Sequence, residues 1–318
     1  MSHFIAVDIG GTQMRAACFS PDSLTPEKLD RISTRHPSIP PIERLYSLIS
    51  TIWPEDNQVE AIGVAVAGPV NPYEGILIEA PNIPGWTNFP LRKYLEERFQ
   101  VPVLLGNDAN LAALAEWKFG AGQGHHHLIY ITVSTGIGGG IINDDRLLLG
   151  SEGLAGEVGH VTVVPDGPVC GCGHTGHLEA VASGPAIARW AEERISQGTP
   201  SILPATGKIT GKMIGEAALQ GDELARSALA RSGTYLGQAI ADFLHLFNPS
   251  AIIIGGGVSQ TGPLLLEPLR TALEERILSP QYAKNLTITT AALGDEVGLI
   301  GAYVLALTGS KTQVTSEQ

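Results

Sequence analysis

The sequence predicts an α/β protein with a largely buried sheet, built as two related halves. Three observations predict it. Short apolar runs of strand length alternate with longer segments in which apolar residues recur at helical spacing. Three of the strands deliver glycine clusters, at Gly10-Gly11, Gly136–Gly140 and Gly255–Gly257. The order strand–turn–strand, then strand–helix, occurs once in each half. At 318 residues the chain has room for one large domain or two ordinary ones. Hydrophobic residues at 43% and charged residues at 16% describe a globular protein.

The first half opens with Phe4–Asp8, an apolar run ending in Asp8-Ile-Gly-Gly-Thr12, and Arg15–Ser20 resumes the strand pattern, which predicts a hairpin. Ala61–Ala67 reads as a buried strand stopped by Gly68-Pro69. Pro90 opens a helix marked by Leu91, Tyr94, Leu95 and Phe99. Val103–Leu105 is a further buried strand, running through Gly106-Asn107-Asp108 into a helix over Leu111–Phe119 that Gly120 closes. In the second half Leu128–Ser134 is a strand, Thr135–Gly140 a glycine turn and Ile141–Ile142 a return strand. Helices follow at Ile187–Ser196 and Leu224–Phe247, then the strand Ala251–Ile254, a helix near Leu264–Arg276 and a last apolar helix Val297–Thr308. The polar end from Ser310 is expected to fray.

Charge and cysteine usage exclude several functions. Twenty cations against 32 carboxylates give a net charge of −12, a surface that repels phosphate backbones. There is no basic run and no apolar stretch long enough to span a bilayer, and the first strand begins with no signal peptide in front of it. The chain is therefore expected to bind neither nucleic acid nor membrane and to be cytoplasmic. Of three cysteines, Cys18 stands alone and Cys170 and Cys172 are one residue apart, which fits a reducing compartment and a metal better than disulfides.

The densest chemistry lies in Glu157-Val-Gly-His160 and Cys170-Gly-Cys172-Gly-His-Thr-Gly-His177-Leu-Glu179. Thiolate and imidazole are the ligands of tetrahedral zinc, so His160, Cys170, Cys172 and His177 form a candidate structural site, with His174 competing for the fourth place. Glu157 and Glu179 would then be held rigidly beside the metal. Asp8 with Gly10, Gly11 and Thr12 puts a carboxylate and approachable amides at a strand end, as for phosphate, although a hairpin with an Asp cap has the same pattern. Thr135, Gly136 and Gly138 form a second such loop, and Gly255, Gly256 and Gly257 a third. None follows the Walker or dinucleotide spacing. Asn107-Asp108, where strand meets helix, reads either as an N-cap or as a general base at the carboxyl end of a sheet strand. The tract His125–His127 reads as exposed loop.

Together these segments resemble the ROK family of repressors, open reading frames and sugar kinases, over essentially the whole chain. Asp8–Thr12 looks like its first phosphate loop, Ser134–Gly140 with Gly156–His160 like its signature, Cys170–Glu179 like its zinc motif, and Ile254–Val258 like the segment bordering adenine. The resemblance implies a two-domain ribonuclease H-like fold of the actin/hexokinase type with a central cleft. The smaller domain would be 1–111 completed by the helix 297–308, the larger 112–296. It implies ATP-dependent phosphorylation of a hexose 6-hydroxyl with Asp108 as general base, Mg²⁺ with ATP oriented by Asp8, and structural zinc. Sugar hydroxyls would be held by Asn82, Asn107, Asp108, Glu157, His160 and Glu179, with Gly68 lining the pocket. Two positions depart from the pattern: His177 stands where the family usually has Cys, and Gln13 where Lys or Asn is common.

Ala80–Trp86 and Leu178–Gly184 look most like the glucokinase branch, so glucose is the expected substrate. Fructose, allose, N-acetylglucosamine and N-acetylmannosamine are the alternatives. A repressor would carry a DNA-binding segment before the core strand, and a non-catalytic sensor would not need Asp108. The resemblance also implies a homodimer or homotetramer.

Overall fold

The computed structural model describes residues 2–21, 23–80 and 83–315, with side chains described as far as residue 309. In chain order the elements are β1 (His3–Ile9), β2 (Gln13–Phe19), β3 (Lys28–Ser33), α1 (Pro41–Ile52), β4 (Val59–Val66), β5 (Val70–Asn71), β6 (Ile76–Glu79), β7 (Thr87–Phe89), α2 (Leu91–Phe99), β8 (Val103–Asn107) and α3 (Asp108–Phe119). They continue with β9 (Leu128–Val133), β10 (Ile137–Asn143), β11 (Arg146–Leu147), α4 (Leu178–Ala182), α5 (Gly184–Ser196), α6 (Gly211–Leu219), α7 (Glu223–Phe247), β12 (Ala251–Gly255), α8 (Pro263–Glu274), β13 (Thr287–Thr290) and α9 (Val297–Thr315). The chain divides into two compact units: 1–123 with 147–155 and 295–318, and 124–146 with 156–294.

In the first unit a five-stranded sheet has the order β3-β2-β1-β4-β8. β1 runs antiparallel to β2 and parallel to β4, and β4 parallel to β8. β1 is buried along almost its whole length because both sheet faces are covered, hence its continuous apolar run. Ile5, Val7 and Ile9 join Leu45 and Leu48 of α1 and Leu95 of α2 in one core. On the other face Phe4 meets the ring of Tyr303 in α9. α9 approaches β4 at Gly63, where any Cβ would stand 1.9 Å from the Ala302 carbonyl oxygen. The parallel strands end level with one another: Asp8 pairs with Ala65, and Val66 with Asn107. Asp8 and Asn107 therefore share the carboxyl edge of the sheet, where open α/β sheets bind ligands.

The second unit repeats this grammar with the order β11-β10-β9-β12-β13. β9 and β10 form the antiparallel hairpin, and β12 runs parallel to β9 and to β13. The carboxyl ends of β9 and β12 again lie together, Gly255 pairing with Thr132.

Several local expectations are revised. Gly138–Gly140 are not a turn but part of β10, paired with Thr132, Ile131 and Tyr130. A Cβ at Gly139 would come within 2.6 Å of Val158 Cγ2, so glycine is required there by packing. The turn itself is Ser134–Gly136, closed by the Ser134 N–H donating to the Gly136 carbonyl at 2.9 Å. α3 starts at Asp108, not Leu111, and α9 continues past Ser310 to Thr315. The sequence reading passed over α1, α6 and the small sheet β5-β6-β7.

Candidate active site

The β8–α3 junction is built by Asn107. As N-cap, its Oδ1 accepts the N–H of Ala109 at 3.0 Å and of Asn110 at 3.2 Å, and its Nδ2 donates to the Gly68 carbonyl at 3.1 Å. Of the two readings of Asn107-Asp108, the cap is observed at Asn107, and Asp108 becomes the first helical residue. With both acceptor sites occupied, Asn107 keeps one amide N–H for any ligand. Asp108 Oδ1 also accepts the Ala109 N–H, at 2.8 Å, which holds its carboxylate at the helix N-terminus. Gly68 has φ 130°, and a Cβ there would stand 2.4 Å from the Glu79 carbonyl oxygen. Asn82 lies outside the described residues.

Asp8, one residue from the end of β1, precedes the Gly10–Thr12 turn. The Gly10 N–H donates to the Gln13 carbonyl at 2.9 Å, so it closes the turn and is not presented to a phosphate. That narrows the expected amide donors to Gly11 and Thr12. Thr34, buried and not anticipated from sequence, holds the turn from behind: its hydroxyl donates to the Gly10 carbonyl at 2.6 Å and its N–H to the Thr12 carbonyl at 2.9 Å.

In the second unit the Thr135 turn is braced by Glu179. Its Oε2 accepts the Ile137 N–H at 3.0 Å, while its Oε1 accepts from the Cys170 thiol at 3.3 Å. One carboxylate of α4 therefore links the turn to the cysteine segment. Beside the same turn lies a cavity of about 620 Å³, within the range of ligand pockets. Thr135 and Gly257 line it; Gly255 and Gly256 do not. Gly255 instead packs against Tyr130, and Gly256, at φ 81°, makes the bend after β12. Ser134 and Val258, from the segments singled out in the sequence, line the cavity too, together with residues that carry no sequence signal, among them Lys208, Gly211, Lys212, Glu216 and Gln260.

His160, Cys170, Cys172 and His177 offer one donor atom each, all within 4.8 Å of one another. His160 Nδ1 faces His177 Nδ1 at 3.3 Å, and Cys172 Sγ is 3.2 Å from the same His177 nitrogen. Lone pairs of two imidazoles and two sulfurs converging this closely fit a shared cation, and the S₂N₂ set suits tetrahedral zinc. His174 approaches Cys172 Sγ at 3.7 Å but is not one of the four. His160 turns Nδ1 into the cluster while Nε2 lies 4.0 Å from Glu157 Oε2. The thiols differ. Burial pushes Cys170 up to about 11, with the Glu179 carboxylate adding to it. Hydrogen bonds from the backbone and ring of His174 pull the exposed Cys172 down to about 6. Of the histidine tract expected to be exposed loop only His126 is exposed, meeting Asp145 at 2.8 Å; His125 and His127 are half-buried, His125 against the Ser250 hydroxyl at 2.8 Å.

The first unit thus carries a glycine turn and a carboxylate fixed at a helix N-terminus, and the second a glycine turn beside a ligand-sized cavity, features suited to a phosphorylated ligand. A family profile described as the ROK family matches residues 4–309, and the chain belongs to that family. A glucokinase of Streptomyces coelicolor is 38% identical over 312 residues, 95% of this chain and 96% of that protein. An N-acetylmannosamine kinase of Escherichia fergusonii is 33% identical over 303 residues, 95% of this chain and 97% of that protein. The crystal structure of a ROK family glucokinase from Streptomyces griseus with glucose and AMPPNP superposes with a TM-score of 0.80 at 38% identity, covering 97% of this chain and all of that one. The fold is thus the actin/hexokinase-like fold of the ROK hexokinases. Among the described residues no helix is long and apolar enough to cross a membrane.

Proposed function

We propose that this hexose kinase transfers the γ-phosphoryl group of Mg·ATP to the 6-hydroxyl of glucose, with Asp108 as the general base. The observation that supports it most is the β8–α3 junction: Asn107 caps the helix and anchors to Gly68, and Asp108 follows at the sheet edge where ligands bind. Asp108 would take the hydroxyl proton as the oxygen attacks in line, positioning and charge stabilisation supplying most of the acceleration. Gly11 and Thr12 amides, with the Thr135 turn, are the proposed phosphate donors, and the 620 Å³ cavity the adenosine pocket. Acceptor-rich side chains suit a polyol, because each buried hydroxyl must find a partner; Asn107, Glu157, His160 and Glu179 are the proposed sugar ligands, with Asn82.

Zinc would be held by His160, Cys170, Cys172 and His177, where it supplies a structural crosslink and leaves the chemistry to the carboxylates. His160 can serve both roles, its Nδ1 turned to the cluster and its Nε2 to a hydroxyl.

The relatives at 36–38% identity named glucokinase favour glucose over the N-acetylmannosamine of the 33% relatives. A coupled ADP-release assay with Mg·ATP across glucose, mannose, fructose, allose, N-acetylglucosamine and N-acetylmannosamine tests this: preference for glucose is expected. Preference for another sugar would overturn the substrate. Asp108→Asn should lose turnover while retaining sugar binding, and a near-normal kcat in that variant would remove Asp108 as the base.

A further inference from the structure

We propose that Arg15 is a positioning residue for Mg·ATP: it fixes the Asp8 carboxylate in its working orientation and ties it to the segment that starts α9. The proposal rests on the reading of Asp8 as the group that orients Mg·ATP. In the sequence Arg15 stands simply at the start of the Arg15–Ser20 strand pattern.

The backbone register brings the two together, since Asp8 of β1 pairs directly with Arg15 of β2. The side chains then engage at close range. Arg15 Nε donates to Asp8 Oδ2 at 3.1 Å and Nη2 donates to the same oxygen at 2.5 Å. The third nitrogen, Nη1, donates to the Asp295 carbonyl at 2.9 Å and lies 3.6 Å from Glu296 Oε1. Asp295 is the residue at which the chain re-enters the first unit. Both side chains are mostly shielded, Arg15 at 22% and Asp8 at 17% exposure, so water competes weakly for the pair.

The carboxylate also packs against Gly298. A Cβ at that position would stand 2.9 Å from Oδ2 and 3.4 Å from Oδ1. Glycine there gives the carboxylate just enough room, and the guanidinium decides which oxygen is engaged. Because both donors fall on Oδ2, Oδ1 keeps its lone pairs for a ligand. A carboxylate already fixed in this way need not reorient when the charged substrate arrives, which is where preorganisation lowers a barrier. The planar guanidinium can hold Oδ2 and the Asp295 carbonyl at once. A lysine ammonium offers a single point of charge and cannot span both.

Wild type, Arg15→Lys, Arg15→Gln and Asp8→Asn should be compared by initial rates against free Mg²⁺ at saturating sugar. Calorimetric titration with Mg·AMPPNP adds a readout that does not need turnover, and thermal midpoints report folding. Arg15→Gln should raise the Mg²⁺ half-saturation and the Mg·AMPPNP dissociation constant by about ten- to a hundredfold, the equivalent of one charge-assisted hydrogen bond. Arg15→Lys should fall between Arg15→Gln and wild type, with KM for the sugar within about twofold of wild type in both. A lowered thermal midpoint with unchanged Mg²⁺ and nucleotide dependence would overturn the proposal and leave Arg15 a structural ion pair. Asp8→Asn separates the two layers. If Asp8→Asn shifts the Mg²⁺ dependence and the Arg15 variants do not, Arg15 is excluded; if Asp8→Asn itself behaves as wild type, the reading of Asp8 falls and the proposal with it.

Discussion

Asn107→Ala should destabilise the first unit by about 2 kcal/mol. The side chain makes three hydrogen bonds, two as cap acceptor from Ala109 and Asn110 and one as donor to the Gly68 carbonyl. Losing an N-cap costs about 0.5–2 kcal/mol. A net backbone hydrogen bond adds about 0.5–1.5 kcal/mol, so the sum spans about 1–3.5 kcal/mol. The Ala109 N–H keeps a second acceptor in Asp108 Oδ1 at 2.8 Å, which places the expectation near the middle of that span. Asn107→Asp isolates the parts: it preserves the cap but sets an acceptor against the Gly68 carbonyl, so it should lose about 1 kcal/mol. Urea unfolding followed by tryptophan fluorescence is the appropriate assay, because Trp53, Trp86 and Trp117 belong to the first unit and Trp190 alone to the second. An Asn107→Ala loss below about 0.5 kcal/mol, or an Asn107→Asp variant less stable than Asn107→Ala, would refute the reasoning.

Three further outcomes are expected. In metal-stripped protein, iodoacetamide should alkylate Cys172 with half-maximal rate near pH 6, whereas Cys170 and Cys18, both at about 11, stay unreactive at neutral pH; equal reactivity of all three would contradict the assigned microenvironments. Gly136→Ala would place a Cβ 2.5 Å from Glu179 Oε2 and displace that carboxylate from the Ile137 N–H, so KM for Mg·ATP should rise about tenfold; an unchanged KM would show that the brace is dispensable. Asp222→Ala should cost about 1–3 kcal/mol at pH 7, since Asp222 caps α7 at Ala225 (2.8 Å) and also accepts the Ile202 N–H (2.7 Å). Burial pushes the Asp222 carboxyl up, but these N–H groups outweigh it and hold it below the usual range. Its contribution is therefore present above that range and lost as pH falls through the lowered value, so urea midpoints of variant and wild type should converge in acid.

The sequence by itself determined what depends on neighbours along the chain. Continuous apolar runs in β1, β4, β9 and β12 marked strands buried on both faces, because only a doubly covered sheet removes the need for alternation. Asn107-Asp108 at a strand–helix boundary and the Cys-x-Cys with flanking histidines declared themselves by residue type and spacing. Elements whose signal is weak or mixed were lost: β3 alternates half-buried and exposed positions with Lys28, Asp30 and Arg31 among them and no fully buried residue, and α6 is nine residues containing two glycines. What only the tertiary structure decided is which groups satisfy one another across long separations. Glu179 bracing Ile137, Thr34 anchoring the Gly10 turn, α6 walling the cavity beside Thr135, and Arg15 gripping both Asp8 and Asp295 have no local signature. A carboxylate or guanidinium carries the same donors wherever it stands, and its partner is set by strand register and chain crossing, so its role becomes visible only once the fold has chosen the neighbour.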